Sequence, residues 1–357
     1  MNPYSAMDSI SPAIERTKNY LFKPFQLGRF LKLALVAAFA EGSYSGMNSN
    51  FNFPFPGKST EHMPLQFPQM HWPAPGVWIA IALVFILFMV PLSIVISYLL
   101  IRLRFSYFDC VLYGHDQISS GWRKYHRQAL RYLGVSLLVG LAFLAVLVAV
   151  GLSVWSNYKA DIIDFITALS HNTRPSVDIV TIVSALAGVF FVIFLLAIVG
   201  YVFNSTMTYF VLPRMALEDS PASQAFADVW DDMKAEPGQF ALFLLMRALL
   251  AIAASLIAVF VMIVPLILIA IVAVIVGLLI KALVHSTFVL ILLGVIGVLI
   301  LLALFFVLAI CLGGTVGTFT RNYGMLFYAG RYPELAARLW PAPPVPGIPI
   351  GRPGEVF

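Results

Sequence analysis

The chain has 357 residues, of which 61% are hydrophobic and only 11% carry a charge. An ordinary soluble domain has about 25% charged residues, because its water-facing surface is built from them. This composition excludes a conventional soluble fold and predicts that much of the surface faces lipid. The net charge is +5, but the basic residues flank long apolar runs, which is typical of membrane proteins and not of nucleic-acid-binding proteins.

Apolar runs recur along the chain, and a transmembrane helix needs about 20 mainly apolar residues. Five runs meet this length. A sixth is shorter and begins with Arg29 and Lys32, whose long stems can reach the membrane interface. We therefore predict an all-α polytopic transmembrane helical bundle with about six spanning helices and amphipathic interfacial helices. The predicted spans cover 27–41, 76–101, 129–155, 178–212, 239–264 and 286–312.

Residues 265–281 allow more than one interpretation. Pro265 interrupts an apolar run that continues through Ile280 and ends before Lys281. Such a segment is compatible with a kinked extension of the fifth span, with a re-entrant segment and with a short extra helix.

The distribution of Lys and Arg predicts the orientation, because these residues concentrate on the cytoplasmic side of spanning helices. With six spans and a cytoplasmic N-terminus, 18 of the 22 Lys and Arg residues lie inside. A seventh full span would move the arginines of the C-terminal region to the other side. We therefore predict that both termini are cytoplasmic and that residues 1–340 form a single transmembrane helical domain. Residues 341–357 are rich in Pro and Gly and are predicted to be a flexible tail.

Two predicted cytoplasmic loops carry amphipathic helices and resemble each other, which we interpret as a weak internal repeat. In the second loop, apolar residues repeat at helical spacing between Pro221 and Pro237. In the first loop, a tryptophan lies among cations, a mixture typical of a helix at an anionic membrane surface. The interfacial basic and aromatic residues of that loop are Trp122, Arg123, Lys124, Arg127 and Arg131.

Two segments carry a family resemblance. They are Leu21-Phe22-Lys23-Pro24-Phe25-Gln26-Leu27-Gly28-Arg29-Phe30, and Phe210-Val211-Leu212-Pro213-Arg214-Met215-Ala216-Leu217-Glu218-Asp219 with Glu236-Pro237-Gly238-Gln239-Phe240 further on. They resemble uncharacterised bacterial multi-pass membrane proteins related to the membrane domain of glycerophosphodiester phosphodiesterases. The resemblance implies a bacterial inner-membrane location and a membrane-embedded, non-catalytic role. We expect no diesterase activity, because no soluble catalytic domain follows the membrane region in this sequence.

Polar and ionisable residues within the predicted spans are the candidate functional residues, because they are costly in a bilayer. Arg247 lies ten residues after Pro237 and is a candidate contact for an anion or a lipid phosphate, which a guanidinium binds well. The alternative is an arginine that snorkels or that joins helices. A polar cluster in the fourth span either lines a path or forms hydrogen bonds between helices; it consists of Asn204, Ser205, Thr206 and Thr208.

The sequence contains no catalytic motif and no metal-ligand spacing, so we predict no enzymatic activity, no metal site and no cofactor. The expected partners are membrane lipids and either other proteins or further copies of this chain, with no nucleic acid. Of three functional hypotheses, the favoured one is a non-enzymatic membrane scaffold or partner-binding component. The alternative is a transporter or channel for a small or lipid-like solute. A membrane-embedded enzyme is the third.

Overall fold

The computed structural model describes residues 4–42, 75–170, 179–283 and 286–340, and within these ranges the chain is helical and contains no strand. The all-α prediction is therefore confirmed. The predicted tail, 341–357, lies outside the described residues. In chain order the helices are α1 (Ile10–Phe22), α2 (Leu27–Gly42), α3 (Pro75–Tyr113), α4 (Ile118–Lys124), α5 (His126–Ser170), α6 (Ile179–Thr206), a π-helical turn (Met207–Val211), α7 (Leu212–Glu218), α8 (Ala222–Ala235), α9 (Pro237–Leu283), α10 (Thr287–Ala329) and α11 (Pro333–Leu339).

Five helical segments are long and apolar enough to cross a membrane, which confirms the polytopic membrane architecture. The sixth predicted span, 27–41, forms α2, which has 16 residues. At 1.5 Å per residue α2 is about 24 Å long, shorter than a hydrocarbon core of about 30 Å, and it is not among the five segments that are long and apolar enough to cross. The five qualifying segments are Leu83–Tyr113, His126–Asp161, Val183–Glu218, Pro237–Lys281 and Leu292–Ala329.

The long helices meet at one end, which we call the packed end. It contains the last turns of α3, of α6 with its π-helical turn, and of α10, together with the first turns of α5 and α9. Away from it, large apolar side chains are exposed, for example Leu87 at 76%, Phe190 at 71% and Phe260 at 69%. An exposed apolar surface of this size is unfavourable in water, so these faces are suited to contact with lipid chains.

The residues around Pro265 form part of one long helix. α9 runs without interruption from Pro237 to Leu283 and includes Pro265. Of the three interpretations of 265–281, the structure therefore has an extension of the fifth predicted span, and this segment is not a separate helix. α10 likewise continues beyond residue 312, the predicted end of the last span, as far as Ala329.

α2 lies directly against α10 because two glycines on α10 leave room for its backbone. A Cβ atom added at Gly314 would overlap the backbone of Ala34. One added at Gly317 would lie 3.1 Å from the carbonyl oxygen of Ala37 and 3.0 Å from Cβ of Glu41. Small residues at such positions let membrane helices approach closely. The order of these contacts shows that α2 and α10 run in the same direction. In the predicted six-span topology the first and sixth spans run in opposite directions, so α2 does not lie as predicted for a first span that leaves the cytoplasmic side.

The N-terminal helix α1 covers the end of α3. The last carbonyl groups of a helix lack partners within that helix. The guanidinium of Arg16 donates to two of them, the oxygens of Val111 at 3.2 Å and Leu112 at 3.1 Å. The hydroxyl of Tyr20 donates to the oxygen of His115 at 3.1 Å. These bonds cap α3 and fix α1 at the packed end.

We expect Gly314→Ala to destabilise the protein by about 1–3 kcal/mol, because the added methyl group must push α2 away from α10. The measurement is the thermal unfolding midpoint of the purified protein in detergent. Gly294→Ala is the matched control: it lies in the same helix with open space around it, and alanine is a better helix former than glycine. A midpoint for Gly314→Ala equal to or above that of Gly294→Ala would contradict the close packing.

Candidate functional site

Arg247 projects into the packed end from α9 and is only 4% exposed. One terminal nitrogen of its guanidinium donates to the hydroxyl of Ser205. The guanidinium carbon lies 4.6 Å from the ring centre of Tyr209 and 5.2 Å from that of Tyr201. A cation over two aromatic faces is stabilised by their negative charge density, the more so where water is excluded.

The predicted polar cluster of the fourth span points to several neighbouring helices. Ser205 accepts from Arg247 of α9 and donates to the carbonyl oxygen of Tyr201 at 2.6 Å. The hydroxyl of Thr206 lies 4.0 Å from the sulfur of Met233 in α8. Asn204 is half-buried. The structure thus brings Ser205 together with Arg247, whereas Thr206 and Thr208 make separate contacts.

Thr208 contributes through its backbone, which lies in the π-helical turn Met207–Val211. In such a turn the hydrogen bonds run from i to i+5, so the regular pattern of carbonyl partners is disturbed. The carbonyl oxygen of Thr208 accepts from a terminal nitrogen of Arg321 in α10 at 2.9 Å. The π-helical turn is therefore bonded directly to α10.

The centre of the packed end is a buried ion pair between Glu41 of α2 and Arg321 of α10. Nε of Arg321 donates to Oε1 of Glu41 at 2.7 Å, and the hydroxyl of Tyr209 donates to Oε2 at 3.0 Å. Both charged side chains are almost completely shielded from solvent. Charges removed from water in this way are tolerated only when they are paired and hydrogen-bonded.

The ring of Tyr209 reaches Glu41 because α10 has a glycine opposite it. A Cβ atom added at Gly324 would overlap the Tyr209 ring. The guanidinium carbon of Arg321 lies 5.5 Å from the centre of the same ring. Tyr209 is therefore close to both Arg247 and Arg321, and its hydroxyl donates to the carboxylate of Glu41.

Sequence reasoning missed this centre. Arg321 lies beyond residue 312, the predicted end of the last span, and the sequence predicts it on the cytoplasmic side outside the membrane, with no pairing to Glu41. The signal that could have found Arg321 is the continuation of helical spacing after the glycines of α10. Tyr323, Phe327 and Tyr328 recur at that spacing and are buried, which is the pattern of a packed helix and not of a solvated tail.

One of the predicted interfacial residues, Lys124, lies at a second polar site, which is centred on Asp109. Oδ1 of Asp109 accepts from the hydroxyl of Tyr125 at 2.6 Å and lies 3.6 Å from Nζ of Lys124. Burial raises the pKa of Tyr125 well above its usual value, and the hydrogen bond to Asp109 raises it further. The phenol therefore stays protonated and acts as a donor.

Trp122 is half-buried, and its backbone holds Arg102. Nε of Arg102 donates to the carbonyl oxygen of Trp122 at 2.7 Å, and the guanidinium carbon lies 4.6 Å from the indole ring. The cations of the predicted set are exposed on α4 and at the start of α5. They are Arg123, Lys124, Arg127 and Arg131.

A third charged group joins α7 and α8 to the end of α10. Arg214 donates to Asp232 at 2.7 Å and to the hydroxyl of Tyr328 at 2.6 Å. Arg331 donates to Glu236 at 2.7 Å and 3.0 Å. Two acidic residues of the second predicted loop, Asp232 and Glu236, thus hold this segment against the packed end.

The space next to Arg247 is small. A cavity lined by Arg247, Leu250 and Ala251 of α9 and by neighbouring residues of α10 has about 10 Å³ of room for the centre of a water molecule. That is enough for about one water. In the part of the chain that the structure describes, no group of three or more His, Cys, Asp or Glu side chains is placed to hold a metal ion.

Comparison with known proteins gives one match. A family model described as a family of unknown function, DUF7544, covers residues 4–338 of the chain. The chain belongs to this family. No curated protein and no solved structure matches the DUF7544 chain. Nothing in the match links it to the membrane domains of glycerophosphodiester phosphodiesterases, so that resemblance stays a prediction.

For this DUF7544 member we expect Glu41→Gln to lower the stability by about 3–5 kcal/mol, because it leaves the buried Arg321 without a carboxylate. The thermal unfolding midpoint in detergent measures the loss. Asp231→Asn is the control, since it removes the exposed carboxylate of the Lys234–Asp231 surface pair, and such pairs contribute about 0–1 kcal/mol. Equal midpoints for the two variants would contradict the structural role of Glu41.

Proposed function

We propose that this DUF7544 protein is a non-catalytic membrane component that positions lipids or membrane-embedded proteins around a rigid helical core. We place it in the bacterial inner membrane with both termini cytoplasmic. The distribution of Lys and Arg supports this orientation. The resemblance to multi-pass bacterial membrane proteins supports the location.

The single observation that carries the proposal is that the buried polar side chains bond helices to one another. Arg247 binds Ser205 and stacks on two tyrosines, and Arg321 binds Glu41. Each of these contacts joins one helix to another. The most costly side chains of the membrane region thus hold α2, α6, α9 and α10 together, as expected of a structural core.

A second observation concerns the outward faces of the long helices. Beyond the packed end they are apolar and exposed, as at Leu256 of α9, which is 58% exposed. Such faces are suited to contact with lipid chains or with the apolar helices of a partner. A rigid end that carries several apolar helices is an arrangement that fits a scaffold.

The transport alternative requires Arg247 to be accessible to a solute. A transported anion would have to reach its guanidinium, and the cavity beside it has room for only about one water molecule. We therefore favour the scaffold and keep transport as an outcome of the test.

A photo-reactive amino acid at Leu256 tests the proposal in intact membranes. We expect covalent adducts of discrete mass with other membrane proteins or with a second copy of the chain, because this position faces outward. The same amino acid at Phe243, which is fully buried, is the matched control and should give no adduct between chains. The measurement is the mass of the adducts after illumination.

Two outcomes would contradict the scaffold. One is that Leu256 gives no protein adduct and only lipid adducts of the bulk composition. The other is solute flux through liposomes containing the purified protein that disappears in Arg247→Met while the protein remains folded. The second result would establish the transport alternative.

A further inference from the structure

We infer that the start of α5 is a binding site for the headgroup of an anionic phospholipid. The site is formed by four exposed cations on α4 and the first turns of α5, and we call them the basic patch. Its members are Arg123, Lys124, Arg127 and Arg131. The argument rests on the orientation of these side chains, on their charge balance and on the helix face that continues from them into the membrane.

The packing of α4 and α5 fixes the direction in which the basic patch points. On the inner side of α5, Ala129 and Leu133 are buried in the core. α4 is held against α3 because a Cβ atom at Gly121 would lie 2.8 Å from the backbone of Ser106. With these faces turned inward, the cations of both helices are left on the outside.

The basic patch carries excess positive charge. Nζ of Lys124 lies 3.6 Å from Asp109, and a terminal nitrogen of Arg131 lies 3.4 Å from Asp219. In the Arg131–Asp219 pair both side chains are exposed, so this pair is weak and screened by salt. Arg123 and Arg127 have no carboxylate partner within 4.0 Å among the residues that the structure describes. Four cations therefore face two carboxylates, which favours an anionic partner.

The face of α5 that carries Arg127 and Arg131 continues as an apolar stripe. Steps of three and four residues keep a helix face in line. They lead from Arg131 to Leu138, which is 69% exposed, and on to Leu141 and Leu152, each 65% exposed. Arg131 and Leu152 are 21 residues apart, or about 31 Å along the helix, close to the thickness of a hydrocarbon core.

This arrangement matches the two parts of a phospholipid. The cations at the beginning of α5 lie where the headgroups are, and the stripe below them lies where the acyl chains are. Lys and Arg near a membrane surface attract anionic headgroups, and a guanidinium binds a phosphate oxygen with charge-assisted hydrogen bonds. The occupant we assign is therefore an anionic glycerophospholipid of the surrounding membrane.

The beginning of α9 provides an internal comparison. It enters the membrane region from the same packed end, and its exposed positions there include Leu245 and Leu249. Its one early cation, Arg247, is buried and points inward. Leu249 of α9 and Leu138 of α5 each lie twelve residues after the start of their helix. The two positions are therefore matched in depth and differ in the cations above them.

The experiment uses the full chain with Cys110 and Cys311, its only two cysteines, replaced by alanine. A single cysteine is introduced as Leu138→Cys or as Leu249→Cys and labelled with a fluorophore. The protein is reconstituted in phosphatidylcholine vesicles with an added fraction of nitroxide-labelled phosphatidylglycerol or nitroxide-labelled phosphatidylcholine. Quenching of the fluorophore reports which lipid lies next to each position.

At Leu138→Cys we expect labelled phosphatidylglycerol to be preferred about fivefold or more at low salt. The preference should fall in high salt because the charges are screened. It should disappear in Arg127→Gln/Arg131→Gln, and Leu249→Cys should show none. Equal quenching by both lipids at Leu138→Cys, or an undiminished preference in the double variant, would overturn the inference.

A second measurement keeps the inference testable if the cysteine-free chain does not fold. The thermal unfolding midpoint of the natural chain is compared in nanodiscs with and without phosphatidylglycerol, alongside Arg127→Gln/Arg131→Gln and Lys234→Gln. Lys234 is an exposed cation of α8 outside the basic patch. We expect phosphatidylglycerol to raise the midpoints of the natural chain and of Lys234→Gln, with little rise for the double variant. An equal rise in all three proteins would overturn the inference.

Discussion

A carboxylate and a guanidinium that are buried away from water are stable only when they pair, and this requirement determines how the helices of the packed end are arranged. Glu41 and Arg321 are both buried, and their attraction offsets the cost of removing two charges from water only if their remaining hydrogen-bonding groups are also satisfied. The hydroxyl of Tyr209 and the carbonyl of Thr208 each supply one further hydrogen bond to the pair. One pair therefore fixes α2, the π-helical turn and α10 relative to each other.

The same requirement explains where the glycines of α10 lie. Gly317 lies against Glu41, and Gly324 lies against the ring of Tyr209. A larger residue at either position would hold the partners of the ion pair apart. Close packing and charge pairing are thus one arrangement, in which small residues bring the helices near enough for short polar contacts. Beyond this end the helices present exposed apolar faces.

The parts of the fold that depend on local properties of the chain are predictable from its sequence. The five long apolar helices follow from hydrophobic runs, and the amphipathic helix α8 follows from spacing between two prolines. The positions at which α9 and α10 end cannot be predicted from local sequence alone. Pro265 could have ended a helix. Helical spacing does continue past residue 312 in α10, but the partners that bury this part, in α1, α2 and the π-helical turn, are far away in sequence.

The candidate site was only partly predictable for the same reason. Arg247 and Ser205 stand out as polar residues in apolar runs, and the structure brings them together. The pairing of Glu41 with Arg321 joins residues that are 280 positions apart, and no local pattern in a single sequence specifies such a partner. The π-helical turn is hard to predict for the same reason, because the carbonyl oxygen of Thr208 within it bonds to Arg321 of another helix.

The central claim is that Glu41 and Arg321 stabilise the protein as a pair, and a double-mutant cycle tests it most directly. The unfolding free energies of the natural chain, Glu41→Gln, Arg321→Met and the double variant would be measured in one detergent. We predict that the double variant loses less stability than the two single losses added together, by about 1–3 kcal/mol. Losses that simply add would show that the two residues act independently and would contradict the account.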